Sequence, residues 1–360
     1  MKQFKFYFFI FTFLGFSQEN GTSFELSGFR GNVVKHTQDL GHLITGHPDG
    51  FLVSYDKQTN GSKEWHKAFN YPDYGGYLMY QDYKNEFLGT NLAVGLHYNF
   101  YFLNRNLQFK VAQGITYNNK PYDKVTNSKN KAFGTRLDAN INLGLHYKRD
   151  NIVDNIGFQT GFLFTHSSNG RFKSPNSGIN TFVFNLGLNY NFEKNRTFKT
   201  TEKDTINYKQ PVHYNLVFRT GLNESPVIGS GQFPLYHFAG YADKRLNRKS
   251  SLQLGAELFL TMSQKEFIKY KAISNFEKYT DPNTDYKRVG IMVGHELHIN
   301  KLSIETQIGY YVYQPFKDDI PIYDRLGLKY YVNKNVFAVG TLKTHLFFAE
   351  AFEFGVGYRI

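Results

Sequence analysis

The sequence predicts an all-β protein, a transmembrane antiparallel β-barrel fold with about sixteen strands in total. Three observations favour this fold class. Aromatic residues make up 18% of the chain, with 36 Phe and 27 Tyr. Apolar and polar residues alternate with period two along segments long enough to cross a bilayer at a tilt. After the N-terminal segment, no apolar run is long enough for a membrane helix.

The N-terminus has the composition of a secretory signal peptide. Lys2 and Lys5 precede an apolar segment, residues 6–16, which is too short to span a bilayer. We expect cleavage near Ser17 and exclude residues 1–17 from the fold. The chain has no cysteine, so we expect neither a lipid anchor at the cleavage site nor disulfides or thiolate sites.

The alternation is clearest in residues 133–147, "FGTRLDANINLGLHY". One face of this segment carries Phe133, Thr135, Leu137, Ala139, Ile141, Leu143, Leu145 and Tyr147, and the other carries Gly134, Arg136, Asp138, Asn140, Asn142, Gly144 and His146. Similar strands are predicted at residues 23–35, 50–56, 76–83, 88–103, 108–117, 156–166, 179–192, 212–222, 234–245, 251–262, 288–299, 302–313, 323–331, 336–345 and 352–360. The last strand, "FEFGVGYRI", ends on an apolar residue, which is typical of an outer-membrane assembly signal.

Loop lengths alternate along the chain. Residues 104–106, 247–250, 300–301 and 333–335 are tight turns, expected on the periplasmic side, and residues 118–132, 167–178 and 263–287 are long loops, expected outside. The charged segment 193–210 lacks a strand pattern and divides the strands into two sets. We therefore predict units at residues 18–193 and 211–360 joined by a linker, 194–210. One large barrel and two eight-stranded barrels both fit this pattern.

His166 and Ser168 are the first candidates for chemistry. Residues i and i+2 of a strand project to the same face, so these two side chains can approach each other if the strand continues to Ser168. The same face carries Phe162 and Phe164, so it should point toward lipid. By the same argument Asn180 points toward lipid from the next strand. Polar groups are costly at a lipid-facing position, so three of them at one rim indicate a function.

The pattern H-x-S-N followed by P-N-x-G-x-acid resembles the motif of the outer-membrane lipid A 3-O-deacylases, the acyloxyacyl-hydrolase-like family. It is carried by His166, Ser168, Asn169, Pro175, Asn176 and Gly178. The resemblance covers the first half of the chain. The second half is similar to the extension found in longer, Bacteroidetes-type members, so the first unit should be deacylase-like and the second a C-terminal barrel extension.

The resemblance implies an esterase that removes a 3-hydroxyacyl chain from lipid A and so remodels lipopolysaccharide. Ser168 would be the nucleophile and His166 the base, and Asn169, Gly170 or Asn176 would stabilise the oxyanion. The family has Glu where this chain has Asn180, which can orient the imidazole but supplies no charge. The enzyme would then be slow or inactive, or would use an acid elsewhere. No cofactor and no metal is expected.

The net charge of +12 has two explanations, a lysine-rich coding bias or an anionic partner. In a Gram-negative outer membrane, that partner would be lipopolysaccharide. The candidate phosphate-binding residues are Lys120, Lys124, Lys129, Lys131, Arg171 and Lys173. Nucleic acid is not expected, because the signal peptide exports the chain. Whether the protein forms a homodimer is not decided by the sequence.

Two non-enzymatic interpretations also remain open. The chain could be a channel, which requires an open lumen, or a structural or assembly barrel that keeps a relic of the deacylase motif. A lipid-facing His/Ser pair favours the enzyme, because a channel has no use for it.

Overall fold

The computed structural model describes residues 21–199, 210–274, 279–346 and 348–360. The predicted signal peptide and its cleavage site lie outside these residues, as does most of the expected linker. The described chain forms two closed antiparallel β-barrels of eight strands each. The all-β prediction is confirmed, and of the two arrangements that the sequence left open, the structure has two barrels.

The first barrel contains β1 to β8 and closes where β1 pairs with β8. Its strands are β1 (Thr22–Val34), β2 (Asp49–Gln58), β3 (Asp73–Asp82), β4 (Thr90–Phe102), β5 (Leu107–Asn118), β6 (Leu137–Val153), β7 (Ile156–Ser168) and β8 (Ile179–Asn191). A 3₁₀ helix (Gln38–Leu43) follows β1, and the short helix α1 (Glu64–Ala68) follows β2.

The second barrel contains β9 to β16 and closes where β16 pairs with β9. Its strands are β9 (Val212–Glu224), β10 (Gln232–Arg245), β11 (Ser250–Thr261), β12 (Arg288–His298), β13 (Leu302–Tyr313), β14 (Ile322–Tyr331), β15 (Val336–His345) and β16 (Phe348–Arg359). Helix α2 (Met262–Ser274) occupies the first part of the segment that we expected to be a long outer loop. Within the described residues, no helix is long and apolar enough to cross a bilayer.

Polarity alternates across the barrel wall as period two requires. Along β6, Leu143 and Leu145 are exposed on the outer surface, whereas Asn140, Asn142 and His146 are buried inside. The predicted start of this strand, at Phe133, is wrong.

The strand begins at Leu137, not at Phe133. Phe133 is buried among the loops that cover the barrel mouth, and Arg136 is exposed instead of facing the lumen. The cause is Asn130, whose side-chain oxygen accepts hydrogen bonds from the N–H groups of Ala132 and Phe133 and folds this segment inward.

Charged side chains fill the interior of the first barrel. Glu25 is buried between Lys110, at 2.9 Å, and Lys148, at 2.5 Å. Asp56 pairs with His97 at 2.5 Å nearby. An eight-stranded barrel is just wide enough for its own side chains, and pairing lets these charges remain buried.

The second barrel is filled in the same way. Arg325 lies between Glu257 and Glu353, at 2.6 Å from each. Lys329 pairs with Glu296 at 2.9 Å. In both barrels, buried ion pairs therefore cross the described interior, which disfavours the open lumen that the channel interpretation requires.

Candidate functional site

The site lies at the end of β7, where the strand continues as far as Ser168. The outward-facing residues Phe162 and Phe164 share the parity of His166 and Ser168, and the intervening Ser167 points inward, where Asn140 Nδ2 donates to its hydroxyl oxygen at 3.1 Å. The register therefore places the two side chains on the outer wall of the barrel, as the alternation predicted.

Three side chains form one hydrogen-bonded chain. Nε2 of His166 lies 2.9 Å from Oγ of Ser168, and Nδ1 lies 2.5 Å from Oδ1 of Asn180. Asn180 reaches the ring because β7 and β8 are paired with His166 directly opposite Asn180. Two residues adjacent in register thus supply the base and the group that orients it.

This arrangement selects one tautomer of the neutral imidazole. Asn180 Oδ1 can only accept, so Nδ1 of His166 carries the proton and donates it. Nε2 then has a lone pair directed at the hydroxyl of Ser168, which is the geometry required for proton removal from a serine nucleophile. Among the described residues, no carboxylate bonds to His166.

Gly178 allows the pair to pack against the loop that returns to β8. Its φ angle is +67°, in the left-handed region that favours glycine. A Cβ atom there would lie 3.0 Å from both Cε1 of His166 and Cβ of Ser168. The glycine of the motif therefore meets both a backbone and a steric requirement.

The loop after Ser168 is internally bonded. Asn169 N–H donates to Oδ1 of Asn176 at 2.8 Å, and the Asn169 side-chain amide donates to Thr135 Oγ1 at 3.1 Å and to Lys173 O at 2.9 Å. The donors of Asn169 are thus occupied. In the described structure no hydrogen bond from the Gly170 N–H or from Asn176 Nδ2 is found, so of the three candidates these two keep an unused donor.

The predicted phosphate-binding residues lie on rim loops but differ in their surroundings. Lys124 and Lys173 are exposed. Lys120 donates to the Glu86 carbonyl at 2.9 Å. Lys129 stacks over the Phe87 ring at 4.7 Å and Lys131 over the Tyr122 ring at 5.1 Å.

Arg171 is half-buried. It lines a pocket at the mouth of the second barrel whose other lining residues include Asp318, Asp319 and Glu350.

Sequence reasoning did not identify His36 or Thr135 as parts of this rim. His36 is exposed beyond β1, and its Nε2 lies 2.9 Å from the carbonyl oxygen of Ser177. Thr135 supports Asn169 and itself donates to Asp138. Neither has a local signal, because each approaches the site through strand pairing or loop folding across the barrel. In the described portion, no group of three or more His, Cys, Asp or Glu side chains is placed to hold a metal ion.

Two family models match the chain, one over each barrel. Residues 49–189 match the model described as lipid A 3-O-deacylase (PagL). Residues 212–360 match the model described as acyloxyacyl hydrolase, C-terminal domain. No curated protein matches the chain.

Solved structures similar to this chain include proteins of Pseudomonas and Acinetobacter. OccK5 (OpdH) of Pseudomonas aeruginosa is 10% identical with a TM-score of 0.24, and the match covers 96% of this chain and 99% of that one. CdiB from Acinetobacter baumannii is 11% identical with a TM-score of 0.19, over 94% and 60% of the two chains. The P. putida toluene transporter TodX is 9% identical with a TM-score of 0.19, over 95% and 89%.

Proposed function

The chain belongs to the lipid A 3-O-deacylase (PagL) family, and we propose that it releases an ester-linked 3-hydroxyacyl chain from lipid A by a Ser/His mechanism. The family implies a deacylase of the bacterial outer membrane that acts on lipid A. The Ser168 to His166 to Asn180 hydrogen-bonded chain on the outer wall is the observation that carries the proposed mechanism. We further propose that the membrane is that of a Gram-negative bacterium.

The reaction begins with proton transfer from Ser168 to Nε2 of His166. The Ser168 oxygen attacks the ester carbonyl, and the negative charge that develops on the carbonyl oxygen is met by the Gly170 N–H and the Asn176 amide. The bond to the sugar oxygen breaks, and His166 returns its proton to that oxygen. Water then hydrolyses the acyl-serine by the same proton route, which releases the 3-hydroxy fatty acid and restores Ser168.

Asn180 keeps the imidazole oriented but does not neutralise the imidazolium that forms. Since a neutral hydrogen bond stabilises a cation less than a carboxylate does, we expect a slower enzyme than one with an acid at this position. The basic rim residues Lys124 and Lys173 are available to the lipid A phosphates.

Lipid A mass spectrometry tests the proposal. The protein is expressed in an outer membrane whose lipid A keeps its 3-O-acyl chains, beside Ser168→Ala and Ser167→Ala variants. Loss of one hydroxyacyl mass is expected with the parent and with Ser167→Ala, whose side chain faces the lumen, and not with Ser168→Ala. The neighbouring Ser167 is a matched control, because the substitution is the same and the two serines differ in the side of the barrel wall that they face.

A non-catalytic barrel with a relic motif is the second candidate, and Asn180 in place of an acid favours it. Unchanged lipid A from correctly inserted parent protein would support that candidate and refute the esterase. Loss of the acyl chain that continues in the Ser168→Ala variant would refute the mechanism while leaving the family activity intact.

A further inference from the structure

The loop that follows Ser168 is attached to the second barrel. The Ser174 N–H donates to Oε2 of Glu224 at 2.6 Å, and the Ser174 hydroxyl donates to the Ser225 carbonyl oxygen at 2.8 Å. The Glu224 N–H donates to the Arg171 carbonyl oxygen at 3.0 Å. Three hydrogen bonds therefore join residues 171–174 of the first barrel to the end of β9.

Glu224 is the centre of this attachment. Its side chain is buried, with 2% of the residue exposed. One carboxylate oxygen accepts from Ser174 and the other from the Gly231 N–H at 3.2 Å. The carboxylate thus bridges the loop after β7 and the loop after β9. Removing it would leave the buried Ser174 N–H without this partner, which is costly.

Phe352 makes a second contact closer to the serine. A Cβ atom added to Gly170 would lie 2.3 Å from the Phe352 ring, so the ring lies directly against the Gly170 backbone. Phe352 is half-buried, whereas Phe354, two residues along the same outward face of β16, is 65% exposed. The ring therefore touches the residue whose N–H is one of the two unused candidate oxyanion donors.

We propose that the second barrel acts as an intramolecular clamp that positions the loop 169–174, with Glu224 and Phe352 as positioning residues. This inference rests on the proposed function. The Asn169 amide donates to the Lys173 carbonyl, so a shift at Ser174 is transmitted to Asn169 and Gly170. The position of this loop matters for the rate, because a displacement of about 1 Å in a catalytic group can reduce the rate on the order of a hundredfold.

The test compares purified full-length variants in detergent micelles that contain lipid A. Glu224→Leu and Phe352→Ala are expected to lower kcat about 10- to 100-fold with little change in KM. Glu224→Gln should lose less than Glu224→Leu, because its amide oxygen still accepts one of the two hydrogen bonds. The matched controls are Phe354→Ala, at an exposed residue of β16, and Glu266→Leu, at a half-buried residue of α2, neither of which contacts the loop through a hydrogen bond.

A second readout does not depend on turnover. Hydrogen exchange at residues 170–174 is measured in the parent and in Glu224→Leu, both carrying Ser168→Ala, and faster exchange is expected in Glu224→Leu. Only variants whose barrels are folded, as judged by heat-dependent gel migration, enter the comparison. An unchanged kcat for both Glu224→Leu and Phe352→Ala would overturn the clamp. A change confined to KM would also overturn it, since that would make the second barrel a substrate contact.

The two proposals can fail separately. A parent protein that releases no acyl chain would refute the proposed function, and the exchange rates alone would then decide whether the second barrel holds the loop. Equal exchange in Glu224→Leu and the parent would overturn the clamp even if lipid A is deacylated.

Discussion

Replacing Asn180 by aspartate should accelerate the reaction. Asn180 Oδ1 lies 2.5 Å from Nδ1 of His166. Aspartate has nearly the same shape, so the acceptor stays in place and a negative charge is added. The charge stabilises the imidazolium that forms when His166 takes the proton of Ser168. Position 180 is half-buried, and the new carboxylate would accept a hydrogen bond from His166, which offsets part of its desolvation cost.

The size of the effect follows from hydrogen-bond energies. A neutral hydrogen bond contributes about 0.5–1.5 kcal/mol and one to a charged group about 1.5–3 kcal/mol, so the gain is about 1–2 kcal/mol. At about 1.4 kcal/mol per tenfold change, kcat should rise about 5- to 30-fold. This is less than the roughly 10⁴-fold cost of an amide in a Ser-His-Asp protease, where the amide favours the wrong tautomer. Asn180 already accepts from Nδ1, so only the charge is gained.

The assay is the initial rate of 3-hydroxy fatty acid release by purified protein in lipid A micelles. Asn32→Asp is the matched control, because Asn32 Oδ1 lies 2.7 Å from Nδ1 of His47 on the same barrel. That substitution creates a similar Asp/His pair without a nearby serine nucleophile and should leave the rate unchanged. A rate for folded Asn180→Asp at or below that of the parent would refute the reasoning, as would an equal increase in Asn32→Asp.

Three further predictions follow from the same structure. Gly178→Ala should lower kcat at least about tenfold, because a left-handed backbone costs a non-glycine residue about 1–3 kcal/mol and the added methyl group would contact the His/Ser pair. The control is Gly229→Ala, where φ is +80° and the space around the glycine is open. Equal kcat values for the two variants would contradict the prediction. Glu25→Leu removes the carboxylate between two buried lysines, leaving Lys110 with Ser54 and Lys148 with Asp150 at 3.8 Å. It should cost about 3–5 kcal/mol, seen as a lower unfolding temperature in heat-dependent gel migration but not in Glu266→Leu. Lys124→Glu should raise KM for phosphorylated lipid A about two- to fivefold at low salt and less at high salt; a salt-independent effect would argue against phosphate binding.

Much of the site could be predicted before the structure, because strand parity is a local property. Once β7 is recognised as a strand, the side chains of His166 and Ser168 must share a face, and their aromatic neighbours identify that face as the outer one. Asn180 follows by the same argument on β8. Parity could not show that His166 and Asn180 are opposite each other, because that depends on the register between the two strands.

Errors and omissions occurred where contacts are distant in sequence. Phe133 continues the alternation of β6 but is buried in the loop cluster with Val33 and Leu40, which lie far away in the sequence. The attachment of Ser174 to Glu224 joins positions 50 residues apart and has no signature in either segment. Loop segments lack a fixed period, so their packing cannot be read from alternation.

The amino-acid sequence by itself indicated about sixteen strands and predicted their two faces and the outward direction of the His/Ser pair. These properties depend on the two-residue repeat of an extended backbone and on the need to place apolar side chains in lipid and polar ones inside. The tertiary structure alone decided that the strands close as two barrels, because closure depends on whether β1 pairs with β8 or with a more distant strand. It also decided what surrounds the loop after Ser168, because hydrogen bonds between separate barrels produce no periodic pattern in the sequence.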